Sequence, residues 1–208
     1  MVAARTPRDD ATLGPGSGLM ALDGARRVVG VAIPIPEPYA AVLQAKRAEF
    51  NDPMAHAIPP HVTLLGPTEI EGDGLMRLVR HLSAVAAEGN PFPIVLRGSG
   101  TFRPISDVVF VQVARGISGC ERLEQRIRSG DFGRELAFPY HPHVTVAHDV
   151  SEVDLDRAFD DMADFAADFE VEAFWLYEQS ATGQWRPVCE FRLSGEHLSR
   201  VDPSPGPS

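Results

Sequence analysis

The tetrapeptide Pro-His-Val-Thr occurs twice in this chain, as Pro60-His61-Val62-Thr63 and as Pro142-His143-Val144-Thr145, 82 residues apart. Four matching residues are weak on their own, since a chance repeat of that length arises about one time in ten at ordinary residue frequencies. Their surroundings turn the match into a constraint. Each copy follows a proline-rich approach and runs on into apolar residues, Leu64-Leu65 and Val146-Ala147. Each then reaches a helical apolar pattern ten to twelve residues later, at Leu75 and Leu155, and returns as a strand. The chain reads as one unit used twice.

Strand geometry says what each unit presents. Successive side chains alternate, so His61 and Thr63 share one face while Val62 and Leu64 take the other. His143 and Thr145 likewise stand opposite Val144 and Val146. The apolar face belongs on a core under the following helix. The other face carries one imidazole and one hydroxyl, an unusual pair to bury.

The rest of the chain fits an α+β protein made of two similar halves. Strands are expected over 28–35, 61–65, 92–96, 107–113 and 143–147, with a closing hairpin, 171–177 and 188–193, turned near Thr182-Gly183. Helices are expected over 38–50, with Tyr39, Val42, Leu43 and Phe50 inward, and over 75–87. Two more are expected over 120–128 and over 155–165, the last with Leu155, Phe159, Met162 and Phe165 inward. Residues 97–104 read as irregular. The domain is placed at 27–198, between a disordered N-terminal segment, 1–26, and a disordered tail, 199–208.

Composition excludes several classes. With 208 residues, 44% hydrophobic and 23% charged, the chain is neither disordered throughout nor fibrous, and it needs no metal or disulfide to fold. Its two cysteines, Cys120 and Cys189, suit a reducing cytoplasm. No apolar run is long enough to cross a bilayer, and Arg5, Arg8, Asp9 and Asp10 stand where a signal peptide would be apolar. Net charge is −10, and the stretch from Asp149 to Glu170 alone carries nine acids against Arg157. Long nucleic acid is held through cation–phosphate attraction, so no long nucleic-acid groove is expected and any such substrate is short or held at its end.

If the two units pack about a pseudo-twofold axis, two imidazoles and two hydroxyls converge on one cleft. Phosphodiester chemistry near neutral pH needs a base for the attacking oxygen and an acid for the leaving one, and histidine has the nearest unperturbed pKa. Hydroxyls can hold the non-bridging oxygens and steady the charge of the transition state.

The paired strands His61-Val62-Thr63 and His143-Val144-Thr145 resemble the two-histidine phosphoesterase superfamily, which includes 2′-5′ RNA ligase-like proteins and cyclic nucleotide phosphodiesterases. The resemblance spans about residues 27 to 195. It implies a bilobal α+β fold of two pseudo-symmetric lobes, with antiparallel sheets around a central cleft, and metal-independent chemistry on 2′,3′-cyclic phosphates or 2′-5′ linkages of RNA ends or small nucleotides; a cytoplasmic monomer without a cofactor is expected. It also implies that His61 and His143 are catalytic and that Thr63 and Thr145 bind substrate. Many relatives carry an arginine or tyrosine five residues after the second histidine. This chain has His148 there, a candidate phosphate ligand that pure alternation puts on the wrong face unless a bulge intervenes.

Competing readings attach to the same residues. The cleft could recognise a nucleotide or RNA end without turnover. His141-Pro142-His143, with His148 and Asp149 nearby, has a metal-chelating spacing, though nothing comparable flanks His61. His141 is expected to line the cleft or to bond a backbone carbonyl. Tyr140 and Arg103 are candidates for base or phosphate contact. His81 is expected on the surface, Cys120 is expected to be inert, and Trp175 and Trp185 are expected to pack.

Overall fold

The computed structural model of the chain describes residues 26–195. The expectations for residues 1–25 and for the tail at 199–208 lie outside that range. The elements follow in the order β1 (Arg27–Pro34), α1 (Tyr39–Glu49), β2 (His61–Ile70), α2 (Gly74–Glu88), β3 (Phe92–Thr101) and β4 (Val108–Arg115). They continue as α3 (Ile117–Ile127), a 3-10 turn (Gly130–Phe132), β5 (His143–His148), α4 (Glu152–Asp161), β6 (Ala166–Val171), β7 (Ala173–Gln179) and β8 (Trp185–Arg192).

Two four-stranded antiparallel sheets form, ordered β2-β1-β7-β8 and β5-β4-β3-β6. Each Pro-His-Val-Thr strand is an edge strand, and the two edges, β2 and β5, run against each other where the lobes meet. Helix α1, from the first repeat, lies against β5 of the second, and α3, from the second, lies against β2. The repeats are therefore clasped together. One continuous apolar cluster runs from Val29 and Leu64 in the first lobe to Val111 and Val146 in the second.

The strand–helix–strand units are not self-contained as the sequence suggests. Strand β3, reached from α2, joins the second sheet, and the first sheet is completed from the end of the chain by β7 and β8. Three further differences have local causes. Strand β2 continues through Gly66-Pro67 to Ile70, because at a sheet edge a proline costs no ladder bond. Strand β3 continues through 97–101, where Gly98, at φ +65°, absorbs a register shift against β4. Residues 162–165, read as the end of a helix, lie beyond α4, which stops at Asp161, and residues 166–171, of which only Val171 was read as strand, form β6. Two residues expected inward, Val42 and Phe159, are 47% and 38% exposed; Ala158, not Phe159, fills that position under α4. Among the described residues no helix is long and apolar enough to cross a membrane.

Candidate active site

Each motif strand carries a bulge at the same place. Thr63 sits opposite Ala32 and Leu65 opposite Val31, which leaves Leu64 as the extra residue. Thr145 sits opposite Phe110 and Ala147 opposite Val109, which leaves Val146 extra. The bulge breaks alternation, so Leu64-Leu65 and Val146-Ala147 are buried as consecutive pairs. The residue after each pair, Gly66 or His148, returns to the face of the histidine and threonine. His148 thereby lines the same cleft as His61, Thr63 and Thr145, a space of about 210 Å³ whose walls also include Arg47, Tyr177 and Trp185.

The two histidines are anchored identically. His61 Nδ1 lies 2.7 Å from the carbonyl of Pro59, and His143 Nδ1 lies 2.7 Å from the carbonyl of His141. A carbonyl only accepts, so in both rings Nδ1 bears the hydrogen and Nε2 is the nitrogen left for chemistry. The proline-rich approaches have a function here, because they bend the chain so that the carbonyl two residues back meets the ring. His143 stands two positions before Thr145 on the cleft face of β5, edge-on to Phe102 with centroids 5.0 Å apart and against Phe110 at 5.1 Å.

Burial pushes both imidazoles below their ordinary value. For His61 loss of hydration is the largest cause, opposed by the Pro59 carbonyl and reinforced by the charges of Arg47 and His143, and the result is about 4. His143 is lowered too, again chiefly by desolvation, against the His141 carbonyl that favours its charged form. Both rings rest neutral at pH 7.

The cleft wall contains a residue that sequence reasoning did not single out. Arg47, 3% exposed, donates Nε and Nη2 to Asp52 Oδ2 at 3.1 and 2.9 Å, and Nη1 to the Ile58 carbonyl at 3.3 Å. Its position one helical turn after Leu43, on the buried side of α1, was the available signal. Tyr140, half-buried, donates its hydroxyl to the Thr63 carbonyl at 2.9 Å and so ties the loop before β5 to the first motif strand. Burial raises its phenol, which stays a donor.

Other expected candidates fall elsewhere. Arg103 pairs with Asp156 at 2.8 Å. The exposed His141 accepts the His143 Nδ1–H at its backbone carbonyl, and its ring stacks with that of His143, centroids 6.2 Å apart. His81 is half-buried rather than superficial, with Nε2 3.0 Å from the carbonyls of Arg126 and Ile127 at the end of α3. Cys120 is fully buried and its thiol is pushed up to about 12, which leaves it unreactive. Among the described residues no three His, Cys, Asp or Glu side chains gather as a metal-holding group.

Comparison with known proteins agrees with this architecture. Residues 35–183 match the family described as the 2′-5′ RNA ligase superfamily. A protein of Bacillus thuringiensis (strain Al Hakam), named as a candidate phosphoesterase, is 30% identical over 146 residues, covering 68% of this chain and 83% of that protein. A counterpart in Bacillus cereus (strain AH187) matches at the same 30% over 146 residues. Among solved structures, E. coli LigT in complex with 3′-AMP superposes with a TM-score of 0.59 at 21% identity, over 82% of this chain and 99% of LigT. TT0787 of Thermus thermophilus superposes with a TM-score of 0.52 at 26% identity, over 82% of this chain and all of that one.

Proposed function

Since the chain belongs to the 2′-5′ RNA ligase superfamily, we propose that it is a phosphoesterase that opens 2′,3′-cyclic phosphates, or cleaves 2′-5′ linkages, of small nucleotides and RNA ends. The observation that carries this reading is the matched anchoring of His61 and His143, each with Nδ1 on the carbonyl two residues back and with Nε2 bonded to none of the described residues. A recognition module without turnover has no need for two rings fixed in the same tautomer.

Hydrolysis of a cyclic phosphate then proceeds as follows. One neutral Nε2 takes a proton from water as the water oxygen forms a bond to phosphorus. The other ring, protonated, gives its Nε2 proton to the ribose oxygen as the bond from that oxygen to phosphorus breaks. The product is a phosphomonoester; when the hydroxyl of a second ribose attacks the cyclic phosphate in place of water, the same ring bond breaks, the product is a phosphodiester, and the reaction is ligation without ATP. His61 suits the role of base, because Arg47 and the stronger desolvation oppose its protonation. His143 suits the role of acid, because an anionic phosphate in the cleft raises its affinity for a proton. The hydroxyls of Thr63 and Thr145 are placed in this reading on the non-bridging oxygens, where they oppose the charge that builds there. His148, on the same wall, adds a donor.

The reading invokes no metal or cofactor. It places the protein in the cytoplasm as a monomer whose partners are small substrates. The test is incubation with 2′,3′-cyclic nucleotides and 2′-5′ dinucleotides in the presence of a chelator, with phosphomonoester as the readout. His61→Ala and His143→Ala are each expected to lose at least about a hundredfold in turnover while remaining folded. Full activity in either folded variant defeats the acid–base pairing, and loss of activity to the chelator with recovery on adding a divalent ion points to a metal enzyme.

A further inference from the structure

The chain between α3 and β5 returns along the free edge of β2 and bonds to it twice. Tyr140 donates its hydroxyl to the Thr63 carbonyl at 2.9 Å, and Arg134 donates Nη1 to the Pro67 carbonyl at 3.3 Å. Arg134 Nη2 then stands over Gly66, 3.3 Å from where a Cβ would lie. Gly66 holds in the first motif strand the place that His148 holds in the second, five residues after the histidine. The first strand supplies no side chain there, and a guanidinium from another segment takes the space.

A buried ion pair outside the candidate cleft fixes the backbone that carries this guanidinium. Glu124, 2% exposed on α3, accepts from Arg128 Nε, and Arg128 Nη1 donates to the Arg134 carbonyl. Arg128 is thereby committed to Glu124, and Arg126 to Glu88. In the cleft wall Arg47 is committed to Asp52 and to the Ile58 carbonyl. Arg134 differs from all three. Among the described residues it meets no carboxylate, and its Nε and Nη2 donate to nothing.

A guanidinium anchored through its backbone and one nitrogen, with the Nε–Nη2 edge left open, is a ligand for an oxyanion at any accessible pH. It stands at the lip of the cleft and not in its walls. Gly66 and Pro67 line the space shared by Thr63, Thr145 and His148, and Arg134 does not. An anion on the two threonines is therefore a different anion from one on Arg134. A nucleotide that carries phosphate on both sides of one ribose reaches both places. We infer that Arg134 is a specificity residue that binds a second phosphate, the one on the 5′ side of the nucleoside whose 2′,3′-phosphate is opened. Ends that bear this second phosphate are then favoured over a nucleoside cyclic phosphate alone. This rests on the phosphoesterase reading for what fills the cleft, but it is tested by binding and not by turnover.

The experiment measures the affinities of the full chain for adenosine 3′-monophosphate and adenosine 3′,5′-bisphosphate by titration calorimetry. The two ligands share a base and a 3′-phosphate, so their ratio isolates the 5′-phosphate. The wild type is expected to prefer the bisphosphate by about tenfold or more. Arg134→Ala is expected to bring that ratio close to one. Arg134→Lys is expected to keep part of it, because an ammonium retains the charge and loses the two-pronged edge. Arg134 is exposed, so neither change empties a packed position, and the melting temperature checks that both variants fold. A wild-type ratio near one, or an undiminished ratio in Arg134→Ala, overturns the second site even if the protein hydrolyses cyclic nucleotides. Equal weakening of both ligands in Arg134→Ala also overturns it, since the guanidinium then serves the 3′-phosphate. A ratio that depends on Arg134 in a protein that turns over no phosphodiester keeps the second site and removes the catalytic reading.

Discussion

Arg47, in the wall of the candidate cleft, forms a buried ion pair with Asp52, 2.9 Å apart and 3% and 4% exposed. Asp52 is fully used, since its Oδ1 accepts the Met54 N–H at 2.8 Å while Oδ2 takes two donors from Arg47. The pair shapes the loop from 51 to 60 that delivers Pro59, and hence the carbonyl that holds His61. Asp52→Asn strands a guanidinium out of water and is expected to cost about 3–5 kcal/mol of stability. Replacing both partners with apolar residues, Arg47→Met/Asp52→Leu, removes both buried charges and is expected to cost less than Asp52→Asn alone. Urea unfolding of the three proteins checks the order, and a double variant no more stable than Asp52→Asn refutes the account.

The pH dependence has a definite sign. In the proposed mechanism the active free enzyme holds His61 neutral and His143 protonated, so kcat/KM is expected to rise as pH passes the His61 value of about 4. It falls again above the His143 value, which lies below the ordinary 6.5. The expected optimum of kcat/KM for a cyclic nucleotide is therefore between about pH 4 and 6.5. Arg47→Met removes a cation that disfavours protonation of His61, and it is expected to move the acid limb to higher pH. An optimum above pH 7 in the wild type contradicts the assignment of base and acid. Stability follows the same linkage. Between pH 6.5 and 4 the unfolded chain binds a proton at position 61 that the folded one does not, so the fold weakens as pH falls through that window.

The two motif strands were legible because alternation is local: His61 and Thr63 share a face whatever the rest of the chain does. The bulge that brings His148 to that face was legible only as a requirement, since its cause is the pairing of β5 with β4, set by residues more than thirty positions away. The exchange of β3 and β7 between the sheets was not legible at all. Nothing in Phe92–Thr101 or Ala173–Gln179 states which edge it will pair with. The places of Arg47 and Trp185 in the cleft wall were not legible for another reason. A charged residue on a helix and a tryptophan in a hairpin have ordinary readings as surface and packing, and only the loop from 51 to 60, folded against both, gives them a place in the cleft.

Thr63 and Thr145 are half-buried on the cleft face, and valine matches threonine in shape while lacking its hydroxyl. A hydrogen bond to a charged oxygen is worth about 1.5–3 kcal/mol, which is roughly ten- to a hundredfold in rate. Thr63→Val and Thr145→Val are each expected to lower kcat/KM by that factor with the melting temperature little changed. A valine variant with wild-type kinetics on a cyclic nucleotide removes that threonine from the phosphate site.

His148 ends β5 with its side chain 47% exposed and Nε2 3.6 Å from Asp149 Oδ1. An imidazole carries charge only when protonated, whereas a guanidinium carries it at every accessible pH and can grip two phosphate oxygens at once. His148→Arg is therefore expected to tighten inorganic phosphate, measured as a competitive inhibitor, by about three- to tenfold at pH 8. Product grips the site more firmly in the variant, so its kcat is expected to rise less than its phosphate affinity. Inhibition by phosphate that is identical in the two proteins at pH 8 places the side chain at position 148 away from the bound anion, leaving Thr63 and Thr145 as the only phosphate ligands in this proposal.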